Sequence, residues 1–309
     1  MKEKLYTDIN IKRIDNFLNE HLENSTNLKN GVPPISSIEI SINGACNRRC
    51  FFCPREDESA YPNVLQSLDL KIYKKLIKDL KENDFTGRIS FSGFCEPLLT
   101  KNLNEYVSLI RADLKINAIE IVTNGDPLVA KNGKDRLKEL YKCGLTNCRV
   151  SLYDGPHQIE IFENIKKELK LSDREFIIRK RYLGPDQSYG LTISNRAGSV
   201  SIKNEKFELK PLKEPLKQPC YYPFYKMFVD WNGDCILCCN DWDRTQIVGN
   251  LMTQTLHDVW FGKPMTKIRN RLRKGNRNGI PCNKCSVDGT LFGKPSYDLI
   301  NAYEGKEGI

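Results

Sequence analysis

The chain has 309 residues, 39% of them hydrophobic and 28% charged, which is the balance of a globular protein and excludes a disordered or fibrous one. It contains no run of about 18 apolar residues, so no helical membrane span is expected. Its polar start, Met1 to Arg13, lacks the apolar stretch of a secretory signal, so a cytoplasmic location is expected. Twelve cysteines in such a chain argue for metal ligation over disulfides.

Residues 1–35 read as a polar amphipathic helix and a loop ending at Pro33-Pro34. From there short apolar strands alternate with helices. Strands are expected at Ser37–Ile42, Arg88–Phe91, Ala118–Val122, Cys148–Leu152 and Phe176–Tyr182. Helices are expected near Asp69–Glu82, Leu103–Ala112, Asp135–Cys143 and Ile159–Leu169. Strict alternation implies a parallel sheet with crossover helices. About 170 residues of it suits a partial (β/α) barrel, since a full eightfold one takes about 250. The composition changes after Pro211, and Asn232-Gly233 between two short apolar runs signals a hairpin. The expected division is an extension at 1–35, a core at 36–205, a second unit at 206–290 and a tail at 291–309.

The chemistry concentrates in cysteines. Cys46, Cys50 and Cys53 stand in C-x3-C-x2-C spacing. Three thiolates can hold three irons of a 4Fe–4S cube and leave the fourth open. An open coordination position binds substrate or cofactor, whereas a closed one is structural. Further on, Ser92-Gly93-Phe94-Cys95-Glu96-Pro97 ends a strand. A glycine there permits close backbone approach to a ligand, and a carboxylate beside it can accept charge-assisted bonds from an ammonium. These two motifs resemble the radical S-adenosylmethionine (SAM) superfamily. The resemblance implies a six-unit partial barrel. It implies a 4Fe–4S cluster on Cys46, Cys50 and Cys53 that binds SAM and cleaves it reductively to a 5′-deoxyadenosyl radical. It also implies Phe52 against the adenine and Glu96 near the SAM ammonium. Cys95 departs from the family's glycine and is either a further ligand or a small packed residue.

Strand ends at Ile121–Gly125 and Val150–Gly155 carry polar residues, as the C-terminal ends of barrel strands do at active sites. By resemblance Asn124 and Ser151 border SAM. Arg179 and Arg181 share a strand face by their period-two spacing, and one of them could meet the SAM carboxylate. Cys143 and Cys148 flank the turn at Gly144 and read as structural.

A second constellation comprises Cys220, Cys235, Cys238, Cys239, Cys282 and Cys285. The pairs Cys235/Cys238 and Cys282/Cys285 read as zinc ligands. That set omits Cys220, and odd spacing puts Cys235 and Cys238 on opposite faces of an uninterrupted strand. The alternative set, Cys220, Cys238, Cys282 and Cys285, resembles the auxiliary 4Fe–4S domain called SPASM in its long form and twitch in its short form. Cys239 in place of Cys238 stays open.

Seven basic residues and no acid lie between Lys263 and Arg277. They form either a solvated helix face or a seat for an anionic substrate. Without aromatic residues in that stretch, no nucleic-acid binding is expected. The implied function is an oxidoreductase. The radical takes hydrogen from a polar, possibly anionic small molecule such as a sugar or amino-cyclitol, and the second cluster accepts an electron. Flavodoxin or ferredoxin is the expected electron donor. A peptide-modifying maturase, or a redox-neutral rearrangement, dehydration or epimerisation, is the alternative.

Overall fold

The computed structural model describes residues 33–188, 193–203, 205 and 207–306, so the expected N-terminal helix lies outside the described residues. The strands in chain order are β1 (Ser37–Ile40), β2 (Asn43–Gly44), β3 (Val64–Ser67), β4 (Arg88–Phe91), β5 (Ile119–Thr123), β6 (Asn147–Leu152), β7 (Phe176–Lys180), β8 (Ile202–Lys203), β9 (Glu208–Leu209), β10 (Lys226–Val229), β11 (Asp234–Ile236) and β12 (Ile247–Asn250). Eight of them form one sheet in the order β12-β11-β10-β1-β4-β5-β6-β7. Five core strands run parallel, as the alternating pattern requires. A sixth joins them from beyond residue 206. Strand β10 lies parallel to β1, with Ser37 opposite Lys226 and Ile40 opposite Val229. The sequence pattern places the hairpin β10–β11 in a second unit; its sheet is continuous with the core's.

The helices follow from their apolar spacing. Leu103–Asp113 buries Leu103, Tyr106, Val107 and Ile110, a stripe at i, i+3, i+4 and i+7. Leu70–Glu82 starts at Asp69, whose side chain accepts from the Lys71 amide at 2.6 Å. Cys148 is fully buried in the core and Cys143 packs against it, so both are structural. Three helices follow β12: Leu256–Trp260, Lys263–Arg273, which carries most of the basic segment, and Lys294–Lys306, inside the expected tail.

The strands have two different faces. Ile38, Ile40, Ile89, Phe91, Ile119 and Ile121 pack in the main core. Their alternate neighbours Glu39, Arg88, Ser90 and Glu120 line an internal chamber, with Arg149, Arg179 and Lys226 from the other parallel strands and Arg181 just after β7. Parallel strands usually read as unbroken apolar runs because both faces are covered. Here the period of two marks a polar barrel lumen.

Candidate active site

The three early cysteines occupy the loop after β2. That loop leaves the sheet through Gly44, where a side chain would meet Val64 at 2.7 Å. Two arginines fix it, Arg48 inside the motif and Arg55 just beyond it. Arg48 donates to Asp126 at 2.6 and 2.5 Å and to Asp154 at 2.8 and 2.9 Å, tying the loop to the ends of β5 and β6. Buried Arg55 donates to the carbonyls of Phe94 (2.9 Å) and Gly44 (2.8 Å) and to Asn63 Oδ1 (2.9 Å). The sulfur of Cys46 accepts from the Arg48 amide at 3.5 Å and from Asn124 Nδ2 at 3.8 Å. Burial pushes all three thiols up, Cys50 to about 12, so the thiolates need a cationic centre to compensate them. An iron cube, with amides already directed at sulfur, fits this donor set.

These cysteines border a chamber of about 570 Å³, a volume within the range of small-ligand sites. Phe52 is buried beside it against Tyr153, ring centroids 5.1 Å apart. Gly93 takes φ +90°, and a Cβ there would lie 2.6 Å from Phe228. The positive φ therefore falls on glycine and not on Cys95, which is half-buried with its sulfur 3.6 Å from the Ser92 carbonyl. Glu96, 2% exposed, accepts from Thr123 Oγ1 (2.7 Å) and the amides of Leu98 (3.0 Å) and Asn124 (2.8 Å). Burial raises its carboxyl to about 7 despite these donors. Asn124, Arg179 and Arg181 line the chamber. Ser151 does not; it is buried behind Tyr153 and hydrogen-bonds that phenol.

The chamber floor carries charge that the sequence pattern alone did not assign. Glu39 accepts from Lys226 at 2.6 Å and from Ser92 at 2.8 Å. Glu120 pairs with Arg149 at 2.5 Å and Arg88 at 3.2 Å. The signal lies in the alternation of polar and apolar residues along parallel strands. Tyr153, Tyr222 and Trp242 also line the chamber.

The late cysteines separate in the fold. Cys235 is fully buried in the main core, on β11 opposite Gly249. Cys282 and Cys285 lie close enough to raise the thiols of Cys220 and Cys238, and Cys285 that of Cys282, behind the larger effect of burial. Cys239 faces the other way, lining the chamber near Glu39 and Lys226. Burial drives Cys220 to about 12 and Cys282 to about 11. The sulfur of Cys285 accepts from the Val287 amide at 3.4 Å. Arg277, 2% exposed, holds the segments together, donating to the carbonyls of Gln218 (3.0 Å), Pro219 (2.8 Å) and Val287 (2.9 Å). Asn195 donates to the Lys284 carbonyl at 2.6 Å and accepts from the Ser286 amide at 2.9 Å. Among the described residues no three His, Cys, Asp or Glu side chains close to single-ion distances. A cube with its own sulfides sets its thiolates farther apart than one ion does.

The basic segment is corrected by the structure. None of its residues lines the chamber. Arg269 is fully buried against Glu304 at 2.9 Å, Arg277 is the clamp just described, and Lys263, Lys267 and Lys274 face solvent. It does not form a substrate seat because its helix packs Met265, Ile268 and Leu272 inward, away from the lumen.

Fold and cysteine loops together define an iron–sulfur enzyme that uses SAM: the chain belongs to the radical SAM superfamily. The Radical SAM superfamily model matches residues 40–177, and an iron-sulfur cluster-binding domain (SPASM) matches residues 220–286. The chain is 30% identical to S-adenosyl-L-methionine-dependent 2-deoxy-scyllo-inosamine dehydrogenase of Niallia circulans, over 82% of this chain and 94% of that one. It is 31% identical to GTP 3′,8-cyclase of Aquifex aeolicus, over 88% and 86%. The crystal structure of BtrN in complex with AdoMet and 2-DOIA superposes with a TM-score of 0.67 at 25% identity, covering 84% of this chain and 96% of that one. The fold is thus the partial barrel with an auxiliary iron–sulfur segment, and the cofactors are SAM and 4Fe–4S clusters. Among the described residues no helix is long and apolar enough to cross a membrane.

Proposed function

We propose that this enzyme oxidises a hydroxyl-bearing carbon of a polar ring compound of the amino-cyclitol class to a ketone. Cys46, Cys50 and Cys53 hold the SAM-binding cluster, and Cys220, Cys238, Cys282 and Cys285 hold the second. Glu96 receives the SAM ammonium, Arg179 its carboxylate, and Phe52 its adenine. Gly93 lets the backbone approach, Asn124 borders the cofactor, and Ser151, set back from the chamber, positions Tyr153. When bound, these groups supply hydrogen-atom abstraction and a sink for one electron, with a low-potential flavodoxin or ferredoxin as electron source. The chain's own residues bind and orient the substrate. Glu39, Lys226, Glu120 and Arg149 offer paired acceptors and donors to the hydroxyl and amino groups of such a ring.

One observation carries the reading: a single chamber is bordered by the first cysteine loop and, on its other side, by Cys239 and the segment Ser286–Asp288 that follows Cys285. Similarity to 2-deoxy-scyllo-inosamine dehydrogenase supports oxidation. The cyclase relative supports a redox-neutral outcome at similar identity. A substrate deuterated at the reacting carbon separates them. Oxidation should leave one deuterium in 5′-deoxyadenosine and consume one SAM per ketone. Deuterium returned to product, or product at the substrate's oxidation level, would overturn the proposal.

A further inference from the structure

Four arginines of the segment Lys263–Arg277 turn inward, and three of them meet a carboxylate or carbonyls: Arg269 and Arg273 on buried Glu304, each with one nitrogen left unpaired, and Arg277 on backbone. Arg269 meets Glu304 and the carbonyls of Pro223 and Trp260 at 2.8 Å each. Arg277 meets three carbonyls. Arg271 differs. Its Nε and one terminal nitrogen are sealed from solvent and meet no acceptor among the described residues. Sealing guanidinium N–H groups from water without acceptors costs stability.

The position of that guanidinium explains what it serves. It lies flat on Gly279, so tightly that a Cβ there would fall 1.5 Å from one of its nitrogens. The Gly279 carbonyl accepts from the Asn283 amide at 3.0 Å, inside the short turn Cys282–Lys284 that presents Cys282 and leads into Cys285. Arg271 and Arg277 are the cations that act on the Cys282 sulfur. Arg277 spends three of its five N–H donors on carbonyls, whereas Arg271 Nε and one of its terminal nitrogens meet no acceptor among the described residues. A four-thiolate cube carries a net charge of about −2 in its ordinary state, and hydrogen bonds to its sulfurs together with nearby positive charge set its potential.

We propose that Arg271 is the charge partner of the auxiliary cluster, donating to its sulfur face and raising its one-electron reduction potential. This rests on the four-cysteine cluster proposed above. It adds a reason for net oxidation, since a cluster with a raised potential holds an electron more readily.

The test is EPR-monitored redox titration of the reconstituted, full-length protein. The auxiliary signal is the one that SAM does not perturb. In Arg271→Met, iron should stay at the wild-type content while the equilibrium for reducing this cluster falls about tenfold, or about 59 mV for one electron. Arg271→Lys keeps the charge and should fall less. If methionine loses the cluster and lysine keeps it, the charge pairing stands. An unchanged auxiliary potential in a fully loaded Met variant, or loss of the cluster in both variants, overturns the inference. A wild-type protein without a second iron signal would instead overturn the cluster assignment.

Discussion

Cys46, Cys50 and Cys53 sit within one short loop, whereas Cys220, Cys238, Cys282 and Cys285 arrive from three loops spread over residues 220–285. The first loop is held by ion pairs at the chamber rim, with Asp126 and Asp154 both substantially exposed, as well as by buried Arg55 on two carbonyls and Asn63. The second group is held by buried donors: Arg277 on three carbonyls and Asn195 on two. One group is therefore a local loop that tertiary structure orients. The other exists only once distant segments have met, so a cluster held there would be coupled to folding itself.

The largest expected effects break this contrast by removing ligands. Alanine at Cys46, Cys50 and Cys53 together should halve the iron and sulfide content and abolish SAM cleavage, with little change in melting temperature. Alanine at Cys220, Cys238, Cys282 or Cys285 singly should remove the second cluster and also lower the melting temperature. Cys235→Ala should leave iron unchanged, at a packing cost of about 1 kcal/mol for a small core truncation. Equal iron loss in Cys235→Ala and Cys282→Ala would restore the zinc-like set.

A second comparison sets clamp against clamp. Arg277→Met strands three part-buried carbonyls and should cost about 2–3 kcal/mol, measured by denaturant unfolding. Arg48→Met breaks pairs whose carboxylates face water and should cost about 1 kcal/mol. Similar losses in both variants would mean that the two loops are held alike.

The smallest effect concerns Glu96. Its carboxyl is raised by burial to about 7 from an ordinary 4.5, and only the ionised form pairs with an ammonium. SAM affinity should therefore rise with pH up to about 7 and level off above it. Without SAM, the buried charge should reduce stability as pH climbs from 4.5 to about 7. Glu96→Gln should flatten the affinity profile and weaken SAM binding about tenfold near pH 8, as read by equilibrium binding. A mutant profile that still rises would place the titration elsewhere.

Much of the fold is legible in the amino-acid sequence. Five core strands and four helices lie within a few residues of their expected spans, because each has a clear period and a local cap or turn. The hairpin at Asn232-Gly233 is legible for the same reason. Illegible features depend on residues far apart in the chain. Arg269 and Arg277 look like surface charges until Glu304 and the carbonyls around Cys220 come into place. Cys238 and Cys239 are adjacent, and only the backbone turn after β11 sends one toward the cysteine group and the other toward the chamber. Ser151 obeys its strand period, yet Tyr153 stands in front of it.

The parallel pairing of β10 with β1 has a consequence for how such a chain can be divided. Strand β1 has β4 on one side and β10 on the other. Without the segment after residue 206, the Ser37–Ile40 backbone would become an open edge, with its amides and carbonyls free to recruit another copy. A barrel cut back to its first five strands would be a polymerisation hazard. The iron–sulfur segment thus also serves as the edge guard of the catalytic sheet.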